Sequence, residues 1–158
     1  MKKRSKKPAG RGRRRIHRAE IPSDLARKPR LVREMVSVLT RRRLVTKGDP
    51  CPQLVIDEAV TNAIRHGNRE NAQAKVRAEL YETARGWGML VADEGEGFDP
   101  SLVPDPRSSP GRLRESGRGI LLIRSFMDVL RYRKGGSELW CEKFTRDRPK
   151  GRRKGRTA

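Results

Sequence analysis

Three short stretches of this sequence carry residue types that a plain hydrophobic core does not use. In the first, Glu58 and Asn62 stand four apart in a segment of helical periodicity, which puts a carboxylate and a carboxamide one turn apart on one flank. Such a pair offers oxygen ligands suited to a hydrated Mg²⁺, and the carboxylate can alternatively orient or deprotonate a nucleophile. The second stretch is Asp93-Glu94-Gly95-Glu96-Gly97, directly after an apolar strand. A carboxylate at a strand end can accept a hydrogen bond from an exocyclic amine such as that of adenine, and the glycines let backbone approach a flat ligand closely. The third is Gly117-Arg118-Gly119 before an apolar helix, where free backbone N–H groups and the positive end of the helix dipole favour phosphate. Each has a bland alternative when taken alone: a solvated helix edge, an acidic turn, a hinge.

The elements that must position these residues follow from periodicity. A short extended piece at Arg18–Ile21 is closed by Pro22 and Asp24, and a helix follows from Pro29, with apolar residues at three- and four-residue steps through Leu39. Arg41-Arg42-Arg43 complement its C-terminal dipole. A second helix is expected from about Pro52 to His66, stopped by Gly67-Asn68. On it Ile56, Ala59, Val60, Ala63 and Ile64 share an apolar arc, and Glu58, Asn62 and His66 form a ladder on its flank. Ala74 to Tyr81 alternates as a half-buried strand, Arg85-Gly86 turns the chain, and Trp87–Asp93 is its antiparallel partner. A Gly- and Pro-rich loop spans 94–116, the helix Ile120–Met127 comes next, and Gly135-Gly136 joins the hairpin Asp128–Arg133 with Ser137–Phe144. Helices mixed with antiparallel strands give an α+β class in two layers.

Composition bounds the rest. The 158 residues hold 39 Lys and Arg against 19 Asp and Glu, a formal net charge of +20 that by itself suggests a polyanion partner. Most of that charge sits at the ends: ten basic residues and no acidic one in 1–18, seven basic residues and Asp147 in 146–158. Both are predicted to be disordered basic tails, since almost nothing apolar in them could offset the entropy of ordering. The middle, 19–145, is close to charge balance and long enough for one core. No apolar run approaches the ~20 residues of a membrane span, and no apolar h-region follows Arg18, so a cytoplasmic chain is expected. Cys51 and Cys141 match no metal-ligand spacing and read as reduced, buried thiols.

Taken together and in this order, the three stretches resemble the N, G1 and G2 boxes of the histidine-kinase-like (GHKL) ATPase superfamily. Within it, Asn62-Ala63-Ile64-Arg65-His66-Gly67, the run Gly117 to Ile123 and Gly135-Gly136-Ser137-Glu138 are similar to the anti-sigma-factor serine/threonine protein kinases. The resemblance covers residues 19–145. It implies a two-layer α/β sandwich of the Bergerat ATP-binding type, with a mixed, mostly antiparallel sheet, helices on one face and a lid at Phe98–Ser116. It also implies ATP and Mg²⁺ as cofactors, with Glu58 as the catalytic carboxylate and Asn62 as the Mg²⁺-binding residue. Asp93 would read adenine, Gly95 and Gly97 would shape its pocket, and Gly117 and Gly119 would flank the phosphates. Charge and position add Arg118, and with it Arg112 or Arg114, as neutralisers of the triphosphate. His66 reads as a helix-end or pocket-edge residue.

The function implied is an ATP-dependent kinase that phosphorylates a small anti-sigma antagonist and sequesters a sigma factor or similar regulator; family relatives often pair, which implies a homodimer. Two alternatives stand beside it. One is a nucleotide-gated binding module without catalysis. The other is salt-dependent nucleic-acid association through the basic tails, which lack aromatic residues for stacking on bases.

Overall fold

A computed structural model describes residues 12–97, 99 and 115–145. Its elements, in chain order, are β1 (Arg14–Pro22), α1 (Lys28–Arg41), α2 (Pro50–Asn62), β2 (Lys75–Glu82), β3 (Gly86–Ala92), α3 (Glu115–Phe126), β4 (Val129–Arg133) and β5 (Glu138–Phe144). The strands form one sheet in the order β1-β2-β3-β5-β4. All four pairings are antiparallel, so the mixed sheet expected from the resemblance is corrected to a wholly antiparallel one among the described strands. Every strand here is joined to a sheet neighbour by a hairpin or by a connection that reverses direction, which is the arrangement antiparallel pairing requires.

The alternation along β2 and β3 sends Val76, Ala78, Leu80, Trp87, Met89 and Val91 to one face, where they meet Leu31, Met35, Leu39, Val55, Ile56, Val60, Ile64 and Ile123 of the three helices. Burial of the Val, Leu, Ile and Met side chains among these stabilises the two layers by roughly 1.5–3 kcal/mol each. Cys51 and Cys141 belong to this core as free thiols, and burial pushes both thiols up from their usual range. On the opposite face Arg77 bridges Glu79 at 3.2 Å and Glu138 at 3.4 Å, and Arg13 lies over the buried Trp140 ring at 4.2 Å. No described helix is long and apolar enough to cross a membrane.

Three expected boundaries move. The first strand starts at Arg14, inside the segment read as a disordered tail, because Ile16, Ala19 and Ile21 pack on the core and the ladder with β2 extends to Arg14–Glu82. The second helix starts at Pro50, where Asp49 caps it by accepting from the Cys51 N–H at 2.9 Å, and its regular part ends at Asn62. The third helix starts at Glu115, so Gly117, Arg118 and Gly119 lie within its first two turns instead of ahead of it. The expectations for 1–11, 146–158 and most of the proposed lid fall outside the described residues.

Candidate functional site

Helix α2 carries the first group, and its roll about its own axis is set from the far side. Lys28, in the first turn of α1, donates to Asp57 Oδ2 at 2.9 Å and to Thr61 Oγ1 at 3.0 Å. Asp57 and Thr61 are one turn apart, so two contacts to one ammonium fix which flank of α2 faces α1. The adjacent flank, with Glu58 and Asn62, then faces α3. There α3 presents Gly119, buried and without a side chain. A Cβ placed on Gly119 would lie 2.3 Å from Glu58 Oε2 and 3.3 Å from Asn62 Nδ2. The carboxylate and carboxamide therefore rest against bare helix backbone in the N-terminal turns of α3, the end of a helix at which N–H groups can meet an anion.

Immediately after Asn62 the helix widens into a π-turn, Ala63–Gly67, in which Asn68 N–H donates to Ala63 O at 2.8 Å. Such single π-turns shift the following residue around the axis. Here the shift turns Gly67 toward the end of β3. A Cβ on Gly67 would sit 2.2 Å from Asp93 Cγ, and one on Gly95 would sit 2.0 Å from Gly67 O, so the three residues form a cradle only glycine permits. Asp93 Oδ1 accepts from the Gly95 N–H at 2.9 Å, and the Asp93 N–H donates to Ser137 O at 2.9 Å. Burial holds the Asp93 carboxyl above its usual range, partly offset by the Gly95 N–H. Gly97 lies against the β4–β5 turn, where a Cβ would meet Gly135 O.

Sequence reasoning missed two members of this arrangement. Gly67 reads as a helix stop, yet it is a wall of the Asp93 cradle. Asn68, 6% exposed, accepts from the Glu94 N–H at 2.8 Å and donates to Lys75 O at 2.9 Å, while Glu94 accepts from the Lys75 N–H at 2.8 Å. It ties the end of the N-box helix, the start of β2 and the loop after β3 together. The only sequence signal for it was an Asn after Gly, which also ends many helices.

The arrangement thus brings Glu58, Asn62 and Gly119 together, and Asp93, Gly95 and Gly67 together, at the two ends of one α2–π-turn unit. His66 is exposed. Gly117 and Arg118 lie in the first turn of α3, and the side chain of Arg118, like Arg112 and Arg114, falls outside the description. Among the described residues, no group of three or more His, Cys, Asp or Glu side chains is placed to hold a metal ion unaided.

Residues 21–143 match a protein family described as the histidine kinase-like ATPase domain. The chain is 36% identical over 81 residues to the anti-sigma F factor of Bacillus subtilis (strain 168), covering 47% of this chain and 52% of that protein. It is 31% identical over 83 residues to the serine/threonine-protein kinase BtrW of Bordetella bronchiseptica, covering 51% and 58%. With the serine-protein kinase RsbW of Staphylococcus aureus (strain MSSA476) it shares 29% identity over 100 residues, covering 58% and 63%. The chain therefore spans about half to three fifths of the length of these curated relatives.

Proposed function

Since this chain belongs to the histidine kinase-like ATPase domain family, we propose that it binds ATP between α2, the Asp93 loop and α3, and acts as a serine/threonine protein kinase of the anti-sigma type. Its acceptor would be a small anti-sigma antagonist and its sequestered partner a sigma factor or similar regulator. Asp93 Oδ1 is engaged by Gly95, which leaves Oδ2 to accept from the exocyclic amine of adenine. Gly67 and Gly95 let the ring lie against backbone. The observation that carries the reading is the seat of Glu58 and Asn62 on Gly119: it joins the acid–amide pair to the N-terminal turns of α3, whose first N–H groups have no partner within the helix.

Phosphoryl transfer leaves the protein mainly positioning and electrostatic work. In this reading Glu58 accepts the proton of the acceptor hydroxyl, and the N–H groups of the first turn of α3, with Arg118, stabilise charge on the phosphate oxygens. The Glu58 and Asn62 oxygens suit a hydrated Mg²⁺, which prefers a few hard oxygen donors and keeps its remaining waters and phosphate ligands. When bound, the ion would supply positive charge that offsets the charge of the phosphates.

The test is transfer of radiolabelled γ-phosphate from ATP to an acceptor co-purified with the chain. Glu58→Gln should lower the transfer rate at least a hundredfold with nucleotide still bound, and Asn62→Ala should weaken binding of Mg-ATP. Unchanged transfer in both variants would refute the assignment. Tight, nucleotide-sensitive partner binding with no phosphorylated product would establish the non-catalytic module instead.

A further inference from the structure

Helix α1 is basic along the side that meets solvent. Arg27 just before it, Arg30, Arg33 and Arg41 on it, and Arg42 and Arg43 at its end are all exposed, and none of the six forms an ion pair among the described residues. The sheet treats its arginines differently: Arg15, Arg18 and Arg77 share the buried Glu79 at 3.6, 3.9 and 3.2 Å. The single carboxylate of α1, Glu34, faces His17 of β1 at 3.5 Å. Helix stability does not account for the arginines. Cations near a helix N-terminus oppose its dipole, and α1 has no acidic residue in its first turn. Arg30 and Arg33 stand one turn apart and repel each other. At the other end a Schellman motif closes the helix: the Arg43 N–H donates to Thr40 O and the Leu44 N–H to Leu39 O, both at 3.0 Å. This leaves Arg43 in the left-handed region at φ 57°, where glycine is the favoured residue. Charges kept exposed, unpaired and against local stability point to a group outside the chain.

We propose that this stripe is the docking surface for an acidic protein, with Leu54 of α2 as its apolar anchor. Arg30, Arg33, Ser37 and Arg41 fall within an arc of about 80° and span about 16 Å along the helix. The short connection 42–49 makes α1 and α2 antiparallel neighbours, and Lys28 lies against Asp57 and Thr61, which puts Leu54 about level with Arg33. Leu54, at 39%, is the one large hydrophobic that is exposed among the described residues. An apolar centre beside a charged rim is the make-up of a protein interface. Carboxylates at three- and four-residue steps on a partner helix would repeat at the spacing of the stripe. A phosphate backbone matches the charge but offers nothing apolar to cover a leucine. A bilayer surface needs an apolar helix face, and that of α1, with Leu31, Met35 and Leu39, is already in the core. The kinase reading enters at one point: Leu54 stands one turn before Glu58, so a partner seated there brings its hydroxyl to the carboxylate and is the acceptor.

The experiment uses the full chain and, as probe, a protein that co-purifies with it and is lost from the triple variant Arg30→Glu, Arg33→Glu, Arg41→Glu. That variant should melt no lower than the parent, since it removes charges that oppose the dipole. With the probe purified, association with the variant should be at least about tenfold slower at low salt, and the gap should close as KCl is raised toward roughly 1 M. Leu54→Gln should instead speed dissociation about tenfold. Reversing the probe's own surface carboxylates to lysine should restore association with the triple variant, the mark of direct charge complementarity. Arg43→Gly should weaken docking while raising the melting temperature by about 2–4 °C, a combination that loss of structure cannot give. Docking is measured in the Glu58→Gln background as well, so a chain that docks its partner but transfers no phosphate refutes the kinase reading alone. Finding no protein that depends on the three arginines would overturn the proposal. So would a probe indifferent to Leu54→Gln or not rescued by charge reversal. Binding of a duplex DNA that depends on the three arginines, with no such protein, would overturn it in favour of a nucleic acid.

Discussion

Substituting Gly119 by Ala separates stability from activity at the contact on which the functional reading rests. The new methyl carbon would lie 2.3 Å from Glu58 Oε2, whereas ordinary Cβ contacts begin near 3.4 Å. The carboxylate, at the end of a flexible side chain, must therefore retreat by about 1.1 Å, and misplacing a reacting group by ~1 Å costs on the order of a hundredfold in rate. That corresponds to about 2.7 kcal/mol of lost transition-state stabilisation. The helix itself should gain, since Gly119 is internal to α3 and Ala is favoured over Gly there by up to ~1 kcal/mol. We expect a melting temperature equal to or above that of the parent chain, with phosphoryl transfer reduced about a hundredfold. Placed on Glu58→Gln, the same change should cost less than threefold more, because both act through one carboxylate. Parent-level transfer by Gly119→Ala would refute the assignment of Glu58. A further hundredfold loss in the Glu58→Gln background would show that Gly119 acts elsewhere, on the phosphates.

Asp93→Asn should weaken adenine-nucleotide binding about ten- to a hundredfold, the worth of a hydrogen bond to a charged acceptor, measured by calorimetric titration with ADP. The same variant should raise the stability of the free domain at neutral pH. Burial places the Asp93 pKa above its ordinary value of 3.8, so the folded state holds its proton longer than the unfolded chain does. Stability from this group is then fully present below the unfolded value and lost as pH rises through the folded one. The gap between variant and parent in urea midpoint should narrow as pH falls toward 4; a constant gap would contradict the buried-carboxyl account. Asn68→Ala strips two partners from part-buried backbone groups and should destabilise the domain by about 1–3 kcal/mol. It should also weaken nucleotide binding by loosening Glu94, whereas an unaffected melting temperature would mean the network carries little.

Local periodicity was enough for most elements. The apolar arc of α2, the alternation along β2 and the Gly135-Gly136 turn all sit where their spacing requires, since each depends on contacts within one or two turns of chain. Strand β1 was legible only in part, because its ladder slips between Arg15 and His17 and the bulge breaks the two-residue alternation just where arginines crowd the segment. The start of α3 was hidden by its own glycines, which read as loop in isolation and are held helical by packing on α2. The π-turn after Asn62 has no spacing signature at all.

By itself the sequence determined the chemistry available: an acid and an amide one helical turn apart, a carboxylate at a strand end between glycines, and two segments of concentrated positive charge. Only the tertiary structure decided which of these meet. Glu58 and Gly119 are far apart in the chain, as are Gly67 and Asp93, and their approach depends on how α2 is rolled by Lys28 and how the sheet registers beneath it. Antiparallel register likewise brought the start of β1 and the end of β5 to one end of the sheet, opposite the Asp93 end of β3. Spacing fixes neighbours within a turn or along a strand, whereas contacts between distant segments arise from packing many side chains into one core.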